Sequence, residues 1–294
     1  MNKHFFICFG SQRGGTTWLS SQIRNHPDCS FPYRKELRYL DPLYYHPYRK
    51  VQMKRIFEFQ EKLAELGSPE NLPLQKNNAH ELRWWARYAF VSKSECDDMW
   101  YESLFEHCDP SKVTGDFSPD YSLLPPKGVK HLRTVAPHAK LIFLIREPVD
   151  RLWSGVTYAV RTRKDLSLEQ KSNLAHKNLD KPMQNAFSDY PKIIRNFELQ
   201  FPKNRILYLF HDEISLNPYE ILRQTCSHLD IDFDESYFPE ISQKINSSPV
   251  IEMDPDIKIE TTRRYISTLK WLSNRFGGHA TRWENRAKKL LDCN

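Results

Sequence analysis

Three short apolar runs stand out along the chain: Phe5 to Phe9, Leu141 to Ile145 and Ile206 to Phe210. Each is rich in β-branched or aromatic residues and none alternates with period two, as expected for strands buried on both faces of a parallel sheet. A helix-like segment follows each run. Thr16 to Asn25 carries Leu19 and Ile23 one turn apart and stops at Asn25-His26-Pro27. Pro148 stands where a first-turn proline belongs and opens a helix from Val149 to Val160. Asn217-Pro218 begins a third helix that runs to Leu229. Repeated strand–loop–helix units predict an α/β fold, with a central parallel sheet flanked by helices and joined by right-handed crossovers.

Residues 51–110 break this rhythm. Val51 to Leu66 reads as an amphipathic helix, Gly67 to Asn78 as a polar loop, and Glu81 to Phe105 as one tryptophan-rich helical stretch. Together they predict a helical insertion that covers the sheet edge. Residues 256–276 form a further amphipathic helix ended by Gly277-Gly278. No repeat, low-complexity tract or linker divides the 294 residues, so residues 1–294 read as a single domain.

Composition narrows the class without naming a function. At 39% hydrophobic and 27% charged, the chain is ordinary globular material with enough apolar residues for a sizeable core. The net charge of +6 is spread singly and in pairs such as Arg263-Arg264 and Lys288-Lys289. A nucleic-acid binder would concentrate it in a stripe; a small polyanionic ligand, an acidic substrate or plain solvated charge all fit the scatter. The six cysteines show no C-x-x-C pair and no zinc-ligand spacing, and imply neither a metal site nor a disulfide framework. The five apolar residues before Gly10 are too few for a signal-peptide core. No run approaches the roughly 18 residues of a membrane span. The chain reads as cytoplasmic, and its oligomeric state cannot be read at all.

The chemistry gathers where the first run ends. In Gly10-Ser11-Gln12-Arg13-Gly14-Gly15-Thr16-Thr17, the glycines at 10 and 15 have Walker A spacing, but the lysine of that motif is missing. A glycine-rich turn from a buried strand into a helix aims backbone N–H groups at whatever lies above the helix. Gly14 and Gly15 let that backbone approach an anion, Thr16 and Thr17 add hydroxyl donors, and Arg13 adds a fixed charge. The alternative is a tight turn with no ligand. The second run ends on Arg146, and Ser154 follows eight residues later on the helix that Pro148 opens. Ligands of open α/β sheets bind at the carboxyl ends of strands, so Arg146 and Ser154 should converge on a second anion near the first. One nucleotide with two separated phosphate groups would use both.

The paired motifs resemble those of the sulfotransferases that use 3′-phosphoadenosine 5′-phosphosulfate (PAPS). Gln12 to Leu19 resembles the family's 5′-phosphosulfate loop, P-[KR]-x-G-T-T, and Arg146 to Ser154 resembles its 3′-phosphate motif, R-x-P-x-[DE]-R-x-x-S. The resemblance implies a P-loop-like 5′-phosphosulfate loop, with Arg13, Gly14, Gly15, Thr16, Thr17, Trp18, Arg146 and Ser154 holding the cofactor. Arg13 would steady the departing 5′-phosphate, and no metal would be needed. Phe31 to Asp41 resembles the K-E-x-H-F-F-D segment of the carbohydrate (heparan-sulfate-like) branch. That makes Glu36 the base, Lys35 a catalytic cofactor or substrate contact, and Arg38 and Asp41 acceptor contacts, with Arg38 standing where that branch often has His. Burial would add an upward shift to the Glu36 pKa.

Gly115 to Tyr121 resembles G-E-K-[ST]-P-x-Y, which adds Ser118 as an acceptor contact. Phe117 replaces a lysine there, and Lys35 is the first candidate to supply the missing charge. Lys244 to Met253 corresponds to the loop that wraps the cofactor but lacks the family's K-G-R, and the segment with Gly277-Gly278 and Trp283 resembles the family's closing segment. The implied reaction moves a sulfuryl group to a hydroxyl of a saccharide or other small-molecule or glycan acceptor. A divergent P-loop kinase and a non-catalytic protein that binds the cofactor on the same scaffold are the alternatives.

Overall fold

The most apolar strand, β1 (Phe5–Gly10), lies inside a four-stranded sheet in the computed structural model. The structure describes residues 4–66, 75–161, 163, 165–241 and 251–293. After β1 come α1 (Thr16–Ile23), α2 (Asp41–Tyr44), α3 (Tyr48–Leu66), α4 (Gln75–Ala89) and α5 (Asp98–Ser103). Next are β2 (Thr114–Phe117), α6 (Pro126–Val135), β3 (Lys140–Ile145), α7 (Pro148–Arg161), α8 (Leu168–Lys177), α9 (Pro182–Ala186) and α10 (Tyr190–Glu198). The chain continues through β4 (Ile206–Phe210), α11 (Glu213–Leu216), α12 (Pro218–Leu229), α13 (Pro255–Phe276) and α14 (Gly278–Asp292). The strand order is β2-β1-β3-β4, and every pairing is parallel.

The missing period-two pattern now has its reason. Phe5, Ile7 and Phe9 of β1 join Leu141, Phe143 and Ile145 of β3 in one apolar cluster. Phe6 and Cys8 join Ile142 and Leu144 in another, on the opposite face. Helices cover both faces, so odd and even positions alike must be apolar. The first cluster takes in side chains of α4, α5, α6, α10, α13 and α14, and the second those of α1 and α12. The three apolar runs and the helices after them therefore fall where the sequence placed them, within a residue or two.

Two expectations change and one strand is added. The stretch from Glu81 to Phe105 is two helices, because Asp97 accepts a hydrogen bond from the Trp100 amide at 2.8 Å and caps a new start at α5. The insertion does more than cover the sheet edge: Trp84, Trp85, Tyr88, Trp100 and Tyr101 share a cluster with Phe5, Ile7 and Phe9, and Phe105 meets Phe5 edge-on at 5.2 Å. Edge strand β2 escaped notice because it is only four residues, Thr-Gly-Asp-Phe. Its fully buried Asp116 is held by the Ser118 hydroxyl at 2.7 Å and the Tyr101 hydroxyl at 3.0 Å, which satisfies a carboxylate no strand pattern would predict. Residues 67–74 of the expected polar loop and 244–250 of the expected cofactor-wrapping loop lie outside the described residues, and residues 75–78, expected in the polar loop, belong instead to α4.

Candidate active site

The loop after β1 is shaped by close approaches that exclude side chains. A Cβ on Gly14 would stand 2.4 Å from Ser11 Oγ and 2.8 Å from the Leu144 carbonyl. Gly15 sits at φ +102°, and a Cβ there would meet Ile214 at 2.3 Å. No side chain caps α1, so its first-turn N–H groups can meet an external acceptor, the arrangement in which helix starts take up anions. Gly14→Ala should destabilise the fold by about 1–3 kcal/mol through this crowding, read as a lower midpoint in thermal denaturation. An unchanged midpoint would mean the loop can relax without cost.

The cation at the loop's hydroxyls is not Arg13. Lys35 places its ammonium 3.1 Å from Thr17 Oγ1 and 3.4 Å from Thr16 Oγ1. It stands on the loop as a Walker lysine would, but reaches it from the segment beyond α1. Lys35, the candidate for the charge that Phe117 does not bring, thus reaches this loop, while Phe117 is fully buried and packs edge-on against Phe6 at 5.2 Å. Arg13, at φ +66°, turns the other way. Its Nε donates to Ser154 Oγ at 3.2 Å, and its guanidinium lies 4.3 Å above the Tyr158 ring. Arg146 Nη1 donates to the Arg13 carbonyl at 3.0 Å. The two segments expected to meet anions are therefore joined by hydrogen bonds, with Arg13 as the link.

Glu36 stands beside Lys35 in a dense ion cluster. Its Oε1 is 3.5 Å from Lys35 Nζ and its Oε2 accepts from Arg38 Nη2 at 2.8 Å. Burial alone would raise its pKa, but Lys35, Arg38 and Arg34 outweigh burial and bring it down to about 2. The net upward shift expected from burial is therefore reversed. Arg38 also approaches Asp120 at 3.6 Å and Asp41 at 4.0 Å. Burial, and then Asp120, push the Asp41 pKa up, because two carboxylates so enclosed resist ionising together. Asp41, His46 and Asp120 bring ligand-type atoms within 4.8 Å of one another, but Arg38 already compensates both carboxylates.

The sequence-based site is only partly assembled at this surface. Gly14, Gly15, Thr16, Thr17, Lys35, Glu36 and Arg38 cluster at one end, and Arg13, Arg146 and Ser154 at the other. Trp18 is 6% exposed and packs in the core beneath α1, its indole N–H facing the Ile241 carbonyl at 3.4 Å. Asp41 and Ser118 are buried, the first beneath Arg38 and the second with its hydroxyl given to Asp116. Arg151 of the second motif is wholly buried too, and ties α7 to Ser188 and Gln184 at 2.8 and 2.6 Å.

His211 was not foreseen. It follows β4 directly, close enough to Gly15 that a Cβ there would be 3.5 Å from its ring. Burial, then Arg146 beside it, lower its pKa to about 4. The strand-end rule that singled out Arg146 would have flagged this histidine as well.

A fold of this kind has known counterparts. The crystal structure of a sulfotransferase from Alicyclobacillus acidocaldarius is similar over 95% of this chain and 98% of its own, with a TM-score of 0.64 at 20% identity. A sulfotransferase domain from the Synechococcus PCC 7002 olefin synthase is less similar, with a TM-score of 0.49 at 18% identity over 89% of this chain and 93% of its own. No curated protein matches the sequence. A model of the sulfotransferase family matches residues 5–235, a span that runs from β1 past α12 and contains Lys35, Glu36, Arg146 and Ser154, and the chain belongs to that family.

Proposed function

We propose that this protein transfers a sulfuryl group from PAPS to a hydroxyl of a saccharide or another small-molecule or glycan acceptor. The observation that carries this reading is the junction of the two anion-binding ends, where Arg146 holds the Arg13 carbonyl and Arg13 holds Ser154. A donor with separate phosphate groups on the 5′ and 3′ oxygens of its ribose suits such a surface; a linear triphosphate does not need the second end.

In this reading Glu36 takes the acceptor's proton while the hydroxyl oxygen forms its bond to sulfur. The sulfur–oxygen bond to the 5′-phosphate breaks, and adenosine 3′,5′-bisphosphate leaves. Lys35 and the first-turn N–H groups of α1 face the oxygen on which negative charge develops, the place where fixed positive charge contributes most. Arg13, Arg146 and Ser154 hold the 3′-phosphate end. These cations meet the charge that magnesium meets in kinases, so the transfer needs no metal. Among the described residues no helix is long and apolar enough to cross a membrane.

Thermal denaturation with adenosine 3′,5′-bisphosphate or with ATP and magnesium separates the readings. The bisphosphate should raise the midpoint by several degrees at about 100-fold its dissociation constant, equivalent to about 2.7 kcal/mol, and ATP with magnesium by less. A preference for magnesium-ATP would replace this reading with a P-loop kinase.

A further inference from the structure

The Glu36 segment is held from both sides. Toward the sheet, Asp116 accepts from the Leu37 amide at 3.4 Å, and the Tyr121 hydroxyl accepts from the Tyr39 amide at 3.2 Å. Toward the insertion, the carbonyls are taken. Tyr88 of α4 donates its hydroxyl to the Glu36 carbonyl at 3.3 Å. Arg55 of α3 donates from Nη2 to the Arg38 carbonyl at 2.8 Å and to the Leu37 carbonyl at 3.5 Å.

Arg55 is an unusual residue to find there. It is 1% exposed, and no carboxylate lies within ion-pair distance of it among the described residues. Its guanidinium lies 4.6 Å from the centre of the Trp100 ring and 5.2 Å from that of Tyr88, with Cys96 Sγ 3.8 Å from Nη1. Burying an arginine without a counter-ion is costly, and aromatic faces and carbonyls offset that cost only in a fixed geometry. The carbonyls it fixes bracket Arg38, whose backbone is in the left-handed region at φ +52°. That turn brings the Arg38 guanidinium back onto Glu36 Oε2.

We propose that Arg55 of the helical insertion is a positioning residue for the Glu36 carboxylate, acting through the carbonyls of Leu37 and Arg38. The insertion then does more than complete the core; it sets the turn that aims the base. This rests on the reading of Glu36 as base, so Glu36→Gln is measured alongside.

Three variants test it: Arg55→Met removes the fork, Arg55→Lys keeps the charge without it, and Tyr88→Phe removes one hydrogen bond while keeping the ring. Active sites are counted by titration with adenosine 3′,5′-bisphosphate. Arg55→Met should lower kcat per bisphosphate site about 10- to 100-fold, as small displacements of a reacting group do. The bisphosphate affinity should stay within about twofold, because its loop and Arg146 are not touched by Arg55. Arg55→Lys should not restore the rate, since one ammonium cannot hold two carbonyls as a fork does. Tyr88→Phe should lower it less.

The Glu36 carboxyl, followed by carbon NMR of labelled glutamate, should titrate at higher pH in Arg55→Met, because the Arg38 contact is loosened. An unchanged kcat per site together with an unchanged Glu36 titration overturns the inference, as does a loss of bisphosphate binding equal to the loss of rate. Full turnover in Glu36→Gln would instead remove the base reading, and the NMR titration would then decide the positioning claim by itself.

Discussion

Glu36→Gln should lower the transfer rate by about 100- to 10,000-fold, the usual contribution of a general base, while leaving adenosine 3′,5′-bisphosphate binding nearly unchanged. The amide keeps the shape of the side chain and can still offer Arg38 an oxygen, so the turn is kept while the ionic stabilisation is lost. Steady-state rates with saturating PAPS, set beside a thermal titration with the bisphosphate, give both halves of the result. A variant that turns over normally would move the base elsewhere, and a variant that loses bisphosphate binding would make Glu36 a cofactor ligand.

The pH dependence sharpens this expectation. A carboxylate held at about 2 is ionised at neutrality but accepts a proton weakly. Lys35 is the first of the cations that hold it there, and the same ammonium stands on Thr16 and Thr17. A phosphosulfate seated on that loop adds negative charge beside Lys35, which offsets its pull on Glu36 and raises the carboxylate's proton affinity when the proton must move. The acid limb of kcat, which reports the complex, should therefore lie at higher pH than the acid limb of kcat/KM for PAPS, which reports the free enzyme. The effect on stability follows the depressed-carboxylate sign. The Glu36 cluster stabilises the fold above the ordinary carboxylate pKa of about 4.3 and loses that contribution as the pH falls toward 2. Acid unfolding of Glu36→Gln should lack this component.

What the sequence made legible was whatever depends on local pattern. The strands β1, β3 and β4 are continuous apolar runs, and burial on both faces dictates that composition. The loop and the Arg146–Ser154 spacing are legible because backbone approach and strand-end charge each demand particular residues at particular intervals. The rest depends on contacts between distant segments. Nothing local to Arg13 shows that it will stack on Tyr158 and bond to Ser154, 141 positions on. Nothing in Arg55 distinguishes it from the exposed cations of α3, since its burial comes from Trp100 and Tyr88 on other helices. The Glu36 pKa was misjudged for the same reason. Burial could be guessed from one segment, but three cations converging on one carboxylate could not.

Arg146→Ala carries the largest expected effect on binding. Among the described residues no acid lies within ion-pair distance of its guanidinium; its Nη1 instead holds the Arg13 carbonyl at 3.0 Å, while its own carbonyl accepts from Tyr190 at 2.9 Å. Truncation therefore removes a charge from the second anion-binding end and at the same time frees the turn that carries Arg13. A charge-assisted hydrogen bond contributes about 1.5–3 kcal/mol, so affinity for adenosine 3′,5′-bisphosphate should fall about 10- to 100-fold or more. Arg146→Lys should recover only part of it, because an ammonium cannot brace the Arg13 carbonyl and meet a phosphate in one plane. Calorimetry with the bisphosphate and with adenosine 5′-phosphate separates the two ends. The 3′-phosphate should strengthen binding to the wild type and add almost nothing to Arg146→Ala. If both proteins gain equally from that phosphate, Arg146 does not hold it, and the link between the two ends serves the loop's shape alone.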